Sequence, residues 1–81
     1  MLNNKNVLVT GGAGFIGSNL CEALLQNNNS VTCLDNFITG NKKNIASQLE
    51  NPKFRLIEGD IRNLKDCEAA VKGNEIVLHQ A

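Results

Sequence analysis

Eighty-one residues suffice for one small domain and no more. Eight Lys and Arg balance eight Asp and Glu, and zero net charge offers no electrostatic footprint for nucleic acid or an anionic membrane. No apolar run approaches the roughly 20 residues of a membrane span, and Met1 to Asn6 lacks the apolar core of a signal peptide, so a soluble, cytoplasmic protein is expected.

Met1 to Lys5 is a polar lead-in. Val7, Leu8, Val9 and Thr10 form an apolar, β-branched run that reads as a buried parallel strand over Asn6 to Thr10. Gly12, Gly14 and Gly17 follow at the spacing G-x-G-x-x-G, with Gly11 beside them. The period then becomes helical, with Ile16, Leu20, Ala23 and Leu24 three and four apart, which predicts a helix from Gly14 to Gln26. A strand feeding a glycine-rich turn into a helix N-terminus is an anion site, and pyrophosphate is its natural occupant. Taken alone, the spacing equally describes a turn that binds nothing, because seven glycines in 81 residues will sometimes fall this way.

Context favours the phosphate. Asn27 to Ser30 stops the helix, since asparagine tolerates the left-handed conformation found at helix ends. A second strand over Ser30 to Asp35 ends in a carboxylate eighteen residues after Gly17, where ribose hydroxyls are received in dinucleotide sites. Asn36 to Asn41 is a polar turn. A short helix from Asn41 or Lys42 to Glu50 is expected, with Ile45 and Leu49 facing inward and Pro52 closing it. The third strand is Phe54 to Glu58, followed by a Gly59-Asp60 turn. A third helix takes Asn63 as its N-cap, Asp66 at its third position, Gly73 just past its end, and Leu64, Cys67, Ala70 and Val71 as its apolar stripe. The fourth strand, Glu75 to Leu78, runs into His79, Gln80 and Ala81.

The alternation βαβαβαβ predicts an α/β fold: a partial Rossmann (doubly wound) sheet of four parallel strands in order 3-2-1-4 with three helices. One face would be covered by a single helix and the fourth strand would have an open edge. Residues 1–81 are therefore expected to be the N-terminal half of a Rossmann domain from a larger protein, self-associating or partly disordered alone. Cys21, Cys33 and Cys67 are odd in number and widely spaced, which suits buried small hydrophobes in a reducing compartment rather than disulfides or a metal knuckle. His79, the one histidine, reads as a strand-end structural residue.

TGGAGFIG, LDN after the second strand, GDIRN after the third and the closing LHQA together resemble the N-terminal end of extended short-chain dehydrogenase/reductases, within them the nucleotide-sugar epimerase/dehydratase group. NFITGNKKN is most similar to UDP-N-acetylhexosamine or UDP-hexose 4-epimerases. The resemblance implies that Gly11, Gly14 and Gly17 are the cofactor glycines, with Phe15 and Ile16 against the pyrophosphate. It implies that Asp35 takes the ribose hydroxyls while Asn36, Thr39 and Gly40 line the adenosine end. Asp60 and Ile61 would flank the adenine, and Gln80 and Ala81 would approach the middle of the cofactor. For Asp60, a turn aspartate bonding its own backbone is nearly as good a reading. Asp35 favours NAD over NADP, since it repels a 2′-phosphate and no arginine follows it.

The family's catalytic tyrosine and lysine belong to a Y-x-x-x-K motif, and this chain has no tyrosine, so no catalytic residue is assigned and the 81 residues alone are expected to be inactive. The implied reaction of the parent enzyme is oxidation and re-reduction of a nucleotide sugar at C4 through a 4-keto intermediate. Alternatives are a 4,6-dehydratase, decarboxylase or reductase of the same superfamily, or a non-catalytic NAD-sensing or interaction protein. The expected partner is a nucleotide sugar, with neither nucleic acid, membrane nor metal involved, and the parent is expected to be a homodimer.

Overall fold

Val7, Leu8 and Val9 are no more than 2% exposed, as the continuous apolar run requires of a strand covered on both faces. They sit in β1 (Asn6–Thr10), one of the two inner strands of a four-stranded parallel sheet. The structure, a computed structural model, describes residues 3–11, 14–37, 42–60 and 62–79. The other elements are α1 (Phe15–Gln26), β2 (Ser30–Asp35), β3 (Phe54–Glu58), α2 (Leu64–Val71) and β4 (Ile76–His79). The strand order is β3-β2-β1-β4, as expected, and each pair runs parallel.

Alternate residues sort onto two faces. Val7, Val9, Val31, Cys33 and Phe54 meet Cys21 and Leu24 of α1 and Ile45 in the larger core. Leu8 and Leu34 meet Ala70 of α2 in the smaller one, with Ile57 against them. Cys21 and Cys33 are buried free thiols and Cys67 is partly covered.

The structure departs from the sequence expectation in three places. The helix foreseen up to Glu50 is two 3₁₀ turns, Lys42–Ile45 and Gln48–Glu50. Ile45 is fully buried, but Leu49 is 47% exposed. Gln48 takes the inward place, donating from Nε2 to the Ser18 carbonyl at 2.9 Å and accepting from the Ser47 hydroxyl at 3.0 Å. Break of the helical period after Ile45 moves the inward position by one residue, and a side-chain amide reaches an α1 carbonyl that an aliphatic group would leave unserved. Asn51 is extended before Pro52, as proline demands.

In α2, Ala70 is buried, yet Leu64 is 73% and Val71 47% exposed, so the expected four-residue stripe narrows. An eight-residue helix over the small core presents too short a face to bury all four. The fourth strand spans Ile76–His79, one residue later than expected, because Glu75 bonds β1 from outside the ladder. Its N–H donates to the Asn6 carbonyl at 2.8 Å and its Oε1 accepts from the Asn6 N–H at 3.2 Å.

Helix ends follow the local chemistry. Asn28 is left-handed at φ 64° beyond α1, and Gly73 at φ 82° beyond α2. Asn63 caps α2 by accepting from the N–H groups of Lys65 and Asp66. Asn29 is wholly buried; its Oδ1 accepts from the Lys5 N–H at 3.0 Å and its Nδ2 donates to the Leu24 carbonyl at 2.9 Å, joining the end of α1 to the entry of β1.

Candidate functional site

The chain leaves β1 through Gly11, whose φ of 74° is a left-handed conformation that glycine adopts without steric cost. Its N–H donates to the Leu34 carbonyl at 2.8 Å, and its own carbonyl accepts from the Gly14 N–H at 3.2 Å. Gly14 is the extended N-cap of α1 and carries no side chain to cap it. The first helical bond runs from the Ser18 N–H to the Gly14 carbonyl at 2.8 Å, so the N–H groups of Phe15, Ile16 and Gly17 have no acceptor within the helix. The first turn holds no acidic residue to offset the positive end of the dipole. Phe15 and Ile16 project outward, 77% and 71% exposed, while Gly17 is buried against the sheet.

Gly14 also tests whether a ligand fits. Its backbone is ordinary extended chain, and among the described residues a Cβ there would meet the Gly11 carbonyl oxygen at a comfortable 3.5 Å. Neither conformation nor internal packing demands glycine at this position. The space over this uncapped helix start is open, and an anion seated on the amides would fit it.

Asp35 ends the neighbouring strand, 7% exposed. Its Oδ1 accepts from the Phe37 N–H at 2.7 Å, closing a turn that holds Phe37 at φ 61°, where a bulky side chain costs about 1–2 kcal/mol. Phe37 offsets this by packing against the larger core. The Asp35 carbonyl accepts from the Gly59 N–H at 3.1 Å, which draws the β3–α2 turn alongside. The Asn36 side chain adds a minor influence that favours the ionised Asp60 carboxylate.

Asp60 is held from several directions. Its Oδ1 accepts from the Arg62 N–H at 2.8 Å, the turn-aspartate arrangement that the sequence also allowed. The Arg62 guanidinium adds Nη2 to Oδ2 at 2.7 Å and Nε to both oxygens at 3.1 Å. These bonds lower the Asp60 pKa from 3.8 to about 2, with the Arg62 side chain the chief cause. The Asp60 N–H donates to Asp66 Oδ2 at 3.0 Å. Asp66 lies so close that a Cβ on Gly59 would stand 2.8 Å from its Cγ.

At the end of β4, His79 faces Thr10 in register, and Nδ1 lies 2.6 Å from the threonine Oγ1. This hydrogen bond gives His79 the strand-end role expected of it.

Gly11, Gly14, Phe15, Ile16, Gly17, Asp35, Asn36 and Asp60 thus lie at the carboxyl end of the sheet or in the turns leaving it. Thr39, Gly40, Ile61, Gln80 and Ala81 lie outside the described residues. The sequence reading passed over Phe37, Arg62 and the Gly59–Asp66 contact. For Arg62 a signal existed, since Asp-x-Arg in a turn places the guanidinium within reach of the carboxylate; the Phe37 conformation and the Asp66 contact depend on tertiary packing.

A parallel sheet reversing its winding beside β1, with an uncapped helix start next to a buried carboxylate, is the arrangement of a Rossmann fold. Residues 7–81 match the NAD dependent epimerase/dehydratase family, and the chain belongs to it; NAD is the family's cofactor. It is 49% identical over 77 residues to a Methanocaldococcus jannaschii protein provisionally named UDP-glucose 4-epimerase, covering 93% of this chain and 23% of that one. It is 48% identical over 60 residues to UDP-glucuronic acid decarboxylase 6 of Arabidopsis thaliana, covering 73% of this chain and 18% of the relative. The crystal structure of Bordetella bronchiseptica WbmF in complex with NAD+ superposes with a TM-score of 0.84 at 35% identity, over 99% of this chain and 24% of that one. The chain therefore spans less than a quarter of the length of these proteins. Among the described residues no helix is long and apolar enough to cross a membrane.

Proposed function

We propose that this chain grips the adenosine and pyrophosphate of NAD for a nucleotide-sugar 4-epimerase. The observation that carries the reading is the set of N–H groups at Phe15, Ile16 and Gly17, without helical acceptors, at the start of the helix that follows β1, the strand next to the one that ends in buried Asp35. Those amides receive the pyrophosphate. Asp35 accepts from the adenosine ribose hydroxyls, and its charge disfavours a 2′-phosphate, so NAD is preferred to NADP. Asn36 and Asp60 border the adenosine, and Thr39, Gly40, Ile61, Gln80 and Ala81 join the site by their matching positions in the family motifs.

When bound, NAD supplies a hydride acceptor that takes the sugar C4 hydrogen and returns it to the opposite face. The described residues bind and orient the cofactor. Proton transfer belongs to residues elsewhere in the parent enzyme, because the family's catalytic tyrosine has no counterpart here. The 49% identity to the M. jannaschii protein supports epimerisation, and WbmF has also been crystallised with NAD+ and UDP, which supports a uridine-nucleotide substrate. Decarboxylation of a UDP-uronic acid is the second reading, favoured by the Arabidopsis relative.

Incubating the full-length enzyme with UDP-glucose, UDP-N-acetylglucosamine and UDP-glucuronic acid, followed by proton NMR, separates the readings. Appearance of the C4 epimer supports the first, and release of carbon dioxide with a UDP-pentose supports the second. NAD binding without turnover of any sugar nucleotide would point to a non-catalytic sensor.

A further inference from the structure

We propose that Thr10 and His79 are a positioning pair: their cross-strand hydrogen bond sets the crevice that receives the part of the dinucleotide beyond its adenosine. The inference rests on the cofactor reading above and adds a function for two residues outside the phosphate and ribose contacts.

The location carries the first part of the argument. Winding proceeds from β1 to β2 to β3 on one side, and β4 then returns to the other side of β1. The sheet changes direction between β1 and β4, and ligands of open α/β sheets lie outside the strand ends at such a point. Thr10 and His79 are the last residues of those two strands and stand directly opposite each other. Thr10 leads straight into Gly11 and the phosphate turn.

The chemistry carries the second part. Thr10 is 5% exposed, in a place where valine has the same shape and no polar atom to desolvate. A hydroxyl there is justified by the 2.6 Å bond to Nδ1 of His79. Serving as either donor or acceptor, it holds the imidazole in any tautomer. His79 is itself exposed, so core packing does not account for its ring. β4 is only four residues long and pairs with β1 alone among the described strands. Its opposite end is tied by the Asn6–Glu75 bonds, and the Thr10–His79 bond ties the end that faces the ligand.

The test is made on the full-length enzyme with Thr10→Val, Thr10→Ser, His79→Phe and His79→Asn, measuring Kd for NAD and for AMP by calorimetry alongside thermal unfolding. Loss of one well-aligned hydrogen bond at the crevice is expected to weaken NAD about tenfold in Thr10→Val and His79→Phe, leaving AMP within about twofold. Thr10→Ser and His79→Asn, which retain hydrogen-bonding groups, are expected to stay near wild type for both. The exposed position of His79 keeps the test open even if Thr10→Val folds poorly. Equal weakening of NAD and AMP marks a merely structural bond and overturns the proposal, as does unchanged NAD affinity in both disruptive variants. A wild-type enzyme that binds neither nucleotide removes the cofactor reading itself, and this inference with it.

Discussion

Asp35→Asn is the substitution that bears most directly on the proposed cofactor grip. The side chain is nearly isosteric, so Oδ1 continues to accept from the Phe37 N–H, now 2.7 Å away, and the turn after β2 keeps its shape. What changes is charge. Hydrogen bonds to an ionised group contribute about 1.5–3 kcal/mol and neutral ones about 0.5–1.5, so the ribose loses roughly 1–1.5 kcal/mol, or about 5- to 15-fold in NAD affinity. The opposite effect is expected for NADP. Two unit charges 4 Å apart repel by roughly 1 kcal/mol at the dielectric of water and 4 kcal/mol at an effective dielectric of 20, and asparagine removes that repulsion. The NAD-to-NADP preference should therefore fall by about two orders of magnitude. Calorimetric titration of the full-length wild type and variant with both cofactors measures it. Equal loss of NAD and NADP, or an unchanged ratio, would refute the assignment of Asp35 to the ribose.

Three further outcomes test the scaffold. Asn29→Ala removes the side-chain hydrogen bonds to the Lys5 N–H and the Leu24 carbonyl from a fully buried position, which should cost about 2–3 kcal/mol and lower Tm by about 10–20 °C in a circular-dichroism melt. Gly59→Ala pushes the Asp66 carboxylate off the Asp60 N–H and should destabilise by about 1 kcal/mol. The same change in an Asp66→Ala background should cost much less, and a double-mutant cycle showing simple additivity would contradict the contact. Asp60 should titrate near pH 2 by carboxyl NMR, and Arg62→Gln should return it toward 3.8. Because the folded-state pKa is the lower one, the pair's contribution is complete above the ordinary carboxylate range and disappears as pH falls through about 2; solvent screening keeps it small.

Much of this molecule is written in local pattern. The runs at Val7–Val9 and Val31–Leu34 mark the inner strands, because only a strand covered on both faces is apolar at consecutive positions. Asn28, Asn63 and Gly73 end or start helices through their own backbone and side-chain chemistry, which needs no distant partner. The glycine spacing and Asp35 support the proposed phosphate and ribose contacts for the same reason. What was not legible depends on the third dimension. Leu49 and Gln48 exchange places because a carbonyl of α1 waits at the end of the chain's excursion, and nothing within residues 42–50 records it. Leu64 and Val71 match a buried stripe in period but not in the area available beneath α2. The left-handed Phe37 is set by Asp35 and the core together, against its local preference.

The inner position of β1 has a consequence for synthesis. The ribosome delivers β1 before either of its neighbours, which arrive at residues 30–35 and 76–79. One flank of Val7–Val9 therefore stays unsatisfied until β4 has emerged, and a nascent chain stalled before residue 76 presents a sticky ribbon to its surroundings. Chaperone capture during translation should accordingly peak in that interval and subside once β4 closes the seam.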